Sequence, residues 1–292
     1  MTKWLVTGAA GMLGIDLCAA LAADAATGSG TEVTALDRAA LDVTDPAAVA
    51  AAVAGHDLVV NCAAWTKVDL AEEREADATA INGGGARNLA AACAAHGARL
   101  IQLSTDYVFP GDATEPIAED APTAPINAYG RSKLAGEHAV LDLLPEAGYV
   151  VRTAWLYGAH GKNFVATMLR VAGERDTLQV VDDQVGQPTS TSALAERLLL
   201  LGRAALAGRA PAGIYHGTAT GETTWYGLAR ATFELAGLDP TRVHAITSDK
   251  YPLPAKRPGY SVLGHDGWKR AGLEPMGDWR EALVEAFNAG AF

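Results

Sequence analysis

A short apolar run, Trp4 to Thr7, is followed at once by Gly8-Ala9-Ala10-Gly11-Met12-Leu13-Gly14 and then by residues of helical pattern to about Ala23. No other stretch constrains the fold as strongly. A buried strand that ends in a glycine-rich turn and opens a helix is the arrangement of a dinucleotide site: the glycines permit a tight turn, close approach of backbone to pyrophosphate, and close helix packing. The N-terminus of the helix then faces the phosphates with amides that have no partner inside the helix. The spacing is GxxGxxG rather than GxGxxG, so the generic fingerprint is met in part, and a glycine-rich turn with no ligand has the same pattern.

Later segments of the chain support the dinucleotide reading. Glu32 to Leu36 reads as a second strand ending at Asp37, whose carboxylate is placed to accept the hydroxyls of an adenosine ribose. Arg38 comes directly after it and suits a 2′-phosphate instead, so NADH and NADPH both stay open. Asp45 is the expected N-cap, and Pro46 the first residue, of a helix to about Ala54. Leu58 to Asn61 and Arg99 to Ser104 read as the third and fourth strands, with Asp69 to His96 largely helical between them. A helix from Tyr129 to about Leu144, a strand from Tyr149 to Thr153 and a sixth strand at Ile214 to Gly217 complete the expected sheet. The alternation predicts an α/β fold, a doubly wound parallel sheet of Rossmann type with a smaller C-terminal substrate-binding lobe. The lobes are expected to interleave, with residues 1–158 and 189–218 in the NAD(P)-binding domain and 159–188 and 219–292 in the substrate-binding lobe.

At 292 residues, 49% of them apolar and 20% charged, the chain suits a globular protein with a sizeable core. Its net charge of −11 argues against nucleic acid or an anionic membrane as partner, and no segment approaches the ~20 apolar residues of a membrane span. Cys18, Cys62 and Cys93 show no paired metal spacing, and each lies in an apolar or alanine-rich setting. They read as free thiols in a reducing cytoplasm. A signal peptide at the N-terminus is rejected because Gly8, Gly11, Gly14 and Asp16 interrupt the would-be apolar region. The seven histidines form no HxH or HExxH grouping, which predicts no catalytic zinc.

Tyr129-Gly130-Arg131-Ser132-Lys133 carries the chemistry. A tyrosine and a lysine four residues apart on a helix share one face, and an ammonium beside a phenol favours the phenolate, which lowers a pKa that starts near 10. Any helix also carries such a pair by chance, so context has to distinguish the two readings. Thr105 stands at the carboxyl end of the fourth strand, on the rim where open α/β sheets bind ligands.

With Gly8, Gly11 and Gly14 in GxxGxxG and Tyr129 and Lys133 in YxxxK, the chain resembles the extended short-chain dehydrogenase/reductase superfamily. Leu103-Ser104-Thr105-Asp106-Tyr107-Val108-Phe109, Tyr129 to Lys133, Arg152-Thr153-Ala154-Trp155, Asp183-Gln184-Val185-Gly186-Gln187-Pro188-Thr189 and Arg257-Pro258 before Ser261 are similar, more narrowly, to the dTDP-4-dehydrorhamnose reductase family. Nearly the whole chain takes part, in the family's order. The resemblance implies NADH- or NADPH-dependent reduction of the 4-keto group of a dTDP-6-deoxy-4-keto-hexose, with Thr105, Tyr129 and Lys133 as the catalytic residues. It implies cofactor contacts from Gly8, Gly11, Met12, Leu13, Gly14, Asp37, Arg38, Asp42, Val43, Cys62, Ala63, Ala64, Tyr129 and Lys133. It also implies dTDP-sugar contacts from Thr66, Thr105, Asp106, Tyr107, Trp155, Lys162, Asn163, Gln187 and Arg257. Some members of the family are described as bridging dimers through a metal held by acidic side chains. Asp16 matches one such position, but Ser190-Thr191-Ser192 and the terminal Ala291-Phe292 offer no carboxylate side chain, and no metal is expected; the chain is read as a monomer or homodimer.

Two other classes share these motifs. A nucleotide-sugar epimerase would use the same tyrosine and retain its cofactor through purification. A non-catalytic regulatory subunit of methionine adenosyltransferase would keep the nucleotide-binding motifs without reductase activity.

Overall fold

The structure is a computed structural model that describes residues 1–292. Six strands form the main sheet: β1 (Thr2–Thr7), β2 (Thr31–Leu36), β3 (Leu58–Asn61), β4 (Arg99–Thr105), β5 (Gly148–Thr153) and, later in the chain, Gly213–His216. All pair in parallel, in the spatial order β2, β1, β3, β4, β5, Gly213–His216. The chain leaves β1 for one neighbour, returns, and continues on the other side. The switch point therefore lies between β1 and β3, and a crevice opens outside their carboxyl ends.

The strands are apolar along their length because helices cover both faces. Trp4, Val6, Leu58, Val60, Ile101, Leu103, Tyr149 and Val151 pack on α1 (Met12–Ala26) through Leu13, Leu17 and Leu21. On the other face Leu5, Val59, Leu100 and Val150 meet α2 (Pro46–Val53) and the last of the helices that come after β3. Those are α3 (Val68–Glu73), α4 (Glu75–Thr79), a π-helical turn at Ala80–Gly85, and α5 (Ala86–His96). The stretch expected as largely helical is thus broken in its middle. The reason is packing: a Cβ on Gly85 would stand 2.7 Å from a Val43 methyl, and one on Gly83 would stand 3.1 Å from Ala135 Cβ. The glycines let this turn press against its neighbours.

α6 (Ala128–Leu143) comes after β4 and the proline-rich segment, with Asn127 as its N-cap accepting from the Gly130 N–H at 2.8 Å. Asp45 caps α2 as its sequence predicts, accepting from the amides of Ala47 and Ala48. After β5 come β6 (Leu156–Tyr157), α7 (Phe164–Ala172), β7 (Leu178–Val181), β8 (Val185–Gly186), β9 (Thr189–Ser190) and α8 (Thr191–Leu206), which completes the layer over α1. The sixth sheet strand, Gly213–His216, is β10; it is followed by β11 (Thr223–Thr224), α9 (Trp225–Leu235), β12 (Val243–Ile246), α10 (Asp266–Arg270) and α11 (Trp279–Asn288). α7, α9 and α11 enclose small cores of their own, and β7 pairs with β12. Isolated bridges Asp112 to Tyr260 and Ile117 to Leu263 lace the C-terminal segment to the loop after β4. No helix is long and apolar enough to cross a membrane.

α8 fits closely on the sheet. A Cβ on Gly202 would lie 2.1 Å from the Trp4 indole, and Trp4 is 1% exposed. Gly202→Ala is therefore expected to destabilise the protein by about 1–3 kcal/mol through overpacking. Urea unfolding checks it: the midpoint should fall without a change in slope, and an unchanged midpoint would show that α8 shifts freely.

Candidate active site

At the switch point lies a cavity of about 480 Å³ lined by Gly8, Gly11, Arg38, Asp42, Val43, Cys62, Ala63 and Ala64 among others. Gly8 has φ +66, and a Cβ there would meet the Ala63 amide at 2.6 Å, so only glycine brings the first turn against the exit of β3. A Cβ on Gly14 would meet the Gly8 carbonyl at 2.4 Å. α1 opens at Met12 with no side chain capping it, which leaves its first amides free for an anion. These features fit a dinucleotide, with the pyrophosphate on the turn and the adenosine end in the cavity.

The adenosine end differs from its sequence reading in one respect. Asp37 does not line the cavity; its Oδ1 accepts from the amides of Ala39 and Ala40, both at 2.9 Å, and so closes a local turn. Arg38 and Asp42 do line it. Asp42 accepts from the Thr44 amide and hydroxyl, which hold its carboxyl below the usual range with help from Arg38. Trp65, Arg74, Asp77 and Ile81 complete the wall, and sequence reasoning misses them. It also misses Asn82, which is 3% exposed in the π-helical turn. Its Oδ1 accepts from the Trp65 amide at 2.8 Å and its Nδ2 donates to the Trp65 carbonyl and to Ser132 Oγ. Ser132 in turn donates to the Tyr129 carbonyl at 2.7 Å, so the turn fixes cavity wall and catalytic helix together. The one sequence signal is Asn82-Gly83-Gly84-Gly85 inside a helical pattern.

Thr105, Tyr129 and Lys133 converge at the carboxyl end of β4. Thr105 Oγ1 donates to Asp106 Oδ1 at 2.9 Å and stands near enough to the Tyr129 phenol to influence its ionisation. Tyr129 packs edge-on against Tyr107, ring centroids 5.9 Å apart. Burial, and then the Asp106 charge, push the Tyr129 pKa up, while the Thr105 contact pulls it down. The lowering by Lys133 that the spacing predicts is absent. Lys133 Nζ donates to the Leu103 carbonyl at 2.6 Å, across the helix–sheet interface, and is not among the groups that set the Tyr129 pKa. Burial pulls the Lys133 ammonium down to about 8, opposed by Glu137 and Cys62. Asp106, 2% exposed, accepts from Ser261 Oγ at 2.6 Å, and burial raises it to about 6.

The residues expected to face the sugar nucleotide are placed in different ways. Thr105, Asp106 and Tyr107 lie at the end of β4 beside Tyr129. Trp155 is the only non-glycine residue with positive φ, +46, and its indole stacks on Trp225 at 3.6 Å while Gly186 packs against its Nε1 side. Thr66 and Lys162 are exposed. Gln187 and Asn163 are occupied structurally. Gln187 is 2% exposed and bonds both backbone groups of Leu263 and the Thr218 hydroxyl. Asn163 caps α7 through the Ala166 amide and donates to the Gly158 carbonyl. Arg257 is held by Asp69 in a two-pronged pair, 2.9 Å on each prong.

Residues 2–291 match the family model described as the RmlD substrate binding domain. The chain is 59% identical to a dTDP-4-dehydrorhamnose reductase of Streptomyces griseus over 289 residues, 98% of this chain and 93% of that protein. It is 53% identical to a dTDP-4-keto-6-deoxy-D-glucose reductase of Streptomyces niveus, covering 98% and 96%. A crystal structure of dTDP-4-dehydrorhamnose reductase from Bacillus anthracis in complex with NADP superposes with a TM-score of 0.91 at 36% identity, over 99% of this chain and all of that one.

Asp106 gives a test of the site's electrostatics. Its folded pKa of about 6 lies above the ~3.9 of an unfolded aspartate, so its favourable contribution is complete below about pH 4 and is lost as pH rises through 6. Asp106→Asn is thus expected to stabilise the protein at pH 8 by up to about 2–3 kcal/mol, at ~1.4 kcal/mol per pKa unit. The gain should shrink towards pH 4. Denaturant melts at the two pH values check this, and an equal effect at both would show that Asp106 ionises normally.

Proposed function

The chain belongs to the dTDP-4-dehydrorhamnose reductase family, and from that membership we propose that it reduces dTDP-4-dehydro-L-rhamnose to dTDP-L-rhamnose. The broader activity is NAD(P)H-dependent reduction of a dTDP-4-keto-6-deoxyhexose. The observation that carries the reading is Thr105 and Tyr129 brought together at the sheet rim, with Lys133 one helical turn from Tyr129 and the switch-point cavity at the neighbouring strand ends.

Gly8, Gly11 and the opening amides of α1, from Met12 to Gly14, hold the pyrophosphate in this reading. Arg38 and Asp42 bracket the adenosine ribose, and Cys62, Ala63 and Ala64 run beside the cofactor. When bound, the nicotinamide supplies the hydride for the C4 carbonyl carbon. Tyr129 delivers the proton to the carbonyl oxygen. Its raised pKa keeps the phenol in the donor form at neutral pH. Thr105 hydrogen-bonds the same oxygen, and the Lys133 ammonium, two of whose protons are not used by Leu103, holds the nicotinamide ribose. Trp155 borders the sugar, and Arg257 reaches the diphosphate by exchanging Asp69 for it. Residues 1–158 and 189–218 serve as the cofactor-binding domain, and 159–188 with 219–292 as the substrate-binding lobe. The free cysteines suit a reducing cytoplasm, and the protein acts as a monomer or homodimer with the dTDP-sugar as its partner.

Oxidation of NADH and NADPH with a panel of dTDP- and UDP-linked 4-keto sugars tests the assignment, and turnover of UDP sugars alone would overturn it. Tyr129→Phe keeps the ring and removes the proton, so kcat is expected to fall by roughly 10²–10⁴ while NADPH still binds. Wild-type turnover in that variant would refute the mechanism. Arg38→Ala is expected to weaken NADPH by about tenfold or more, the scale of one charge-assisted hydrogen bond, and NADH by much less. Equal weakening in fluorescence titrations would remove Arg38 from the 2′-phosphate site.

A further inference from the structure

Glu137 lies one turn beyond Lys133 on α6, so Tyr129, Lys133 and Glu137 succeed each other along one face of the helix. Glu137 is 1% exposed and makes an ion pair with Arg152 of β5, itself 2% exposed. Arg152 Nη2 donates to Glu137 Oε2 at 2.7 Å and Nε to Oε1 at 3.0 Å. The same Oε1 accepts from Ser104 Oγ at 2.5 Å, and Ser104 immediately precedes Thr105 on β4. The remaining Arg152 nitrogen donates to the Glu119 carbonyl at 3.1 Å and faces His216 Nε2 at 3.4 Å. His216 is neutral: burial and Arg152 push it down to about 3, and its Nδ1 donates to the Gly264 carbonyl. Phe109 closes the cluster, its ring 4.8 Å from the guanidinium.

An ion pair this deep gains little stability over a well-packed apolar pair, because both charges are taken out of water. Its geometry points to another use. Three elements meet on one carboxylate, two of which carry the reacting groups: α6 with Tyr129 and Lys133, β4 with Thr105 and the Leu103 carbonyl that receives Lys133, and β5 with Arg152. We propose that Glu137 is a positioning residue for Lys133, holding its face of α6 against β4 and keeping the buried ammonium charged beside the cofactor; the proposal rests on the reductase reading. The charged and titratable groups around this pair are Arg152 from β5, His216 from β10, Glu119 from the loop after β4, and Cys62 after β3, whose thiol burial raises to about 12. Only Cys62 among these joins Glu137 in opposing the effect of burial on Lys133, and Glu137 stands before it.

Lys133 acts as a cation, so activity is lost as pH rises through its pKa, and removing the neighbouring carboxylate moves that loss to lower pH. Glu137→Gln keeps the shape and the Ser104 contact and deletes the charge. The high-pH limb of kcat/KM is expected to move down by about one pH unit or more, a tenfold loss above the limb, as for one charge removed at helical-neighbour distance. NADPH affinity, read by protein fluorescence, should show the same displacement whichever sugar is reduced, which separates failure of this proposal from failure of the substrate assignment. A profile that is the wild-type curve scaled by one factor, with unshifted NADPH binding, would reduce Glu137 to a structural role and overturn the proposal. Where Glu137→Gln alone fails to fold, Glu137→Leu with Arg152→Met leaves no unpaired charge. That folded double variant should still shift both limbs downward, and unshifted limbs in it would be equally decisive against the proposal.

Discussion

The site depends on a contact between two stretches of backbone. The turn after β1 lies so close to the exit of β3 that a single methyl group on Gly8 would overlap the Ala63 amide, and one on Gly14 would overlap the Gly8 carbonyl. This contact places the free N-terminal amides of α1 over the crevice that the sheet order opens between β1 and β3. A side chain at either glycine would push the helix off the turn and move the anion site away from the strand ends that carry the chemistry.

From there a line of buried polar groups runs along the carboxyl edge of the sheet. Thr7 donates to Asn61 at 2.6 Å, Asn61 to Gln102 at 2.8 Å, and Gln102 to the Leu103 carbonyl that Lys133 also reaches. A buried polar group left without a partner costs about 1–3 kcal/mol, so this line is stable only while each member keeps its neighbour. Strand register thereby fixes where the lysine head lies. Register is in turn fixed by which of the two cores each side chain fills, because a slip of one residue would turn Val60 and Leu103 away from the core they share with α1.

Much of this architecture is legible in the sequence because it is written in local pattern. Leu58–Asn61 falls where its apolar run puts it, and Asp45-Pro46 starts its helix as capping chemistry requires. The glycine turn forms as expected, and Thr105, Tyr129 and Lys133 are brought to one end of β4. The parts that are not legible depend on partners far away in the chain. Arg257 reads as a free cation until Asp69, 188 residues earlier, is found holding it. Gln187 and Asn163 read as ligand contacts until their amide groups are seen bonded to Leu263, Thr218, Gly158 and Ala166. Asp37 departs from its expected place for a local reason, since an aspartate at a strand end serves equally well to close an Asx turn. The pairing of Glu137 with Arg152 is not legible either, because neither the helical spacing of Glu137 from Lys133 nor the motif that contains Arg152 says that the two charges are buried together.

Burial, more than any single neighbour, sets the protonation of the catalytic group. It raises Asp106 to about 6, raises Tyr129, and lowers Lys133 to about 8; in each case desolvation is the largest influence. Each shift favours the neutral form, as the loss of water around a charge requires. The shifts leave an interval, above the Asp106 value and below that of Lys133, in which the carboxylate and ammonium are both charged and the phenol still holds its proton. Both edges of that interval are set by how deeply β4 and α6 bury the groups and by which partners they meet there: Ser261 and Thr105 for the carboxylate, Glu137 for the ammonium. Neutral pH lies inside it, so a tyrosine acid and a lysine cation are available together because the fold withdraws both from water to nearly the same degree.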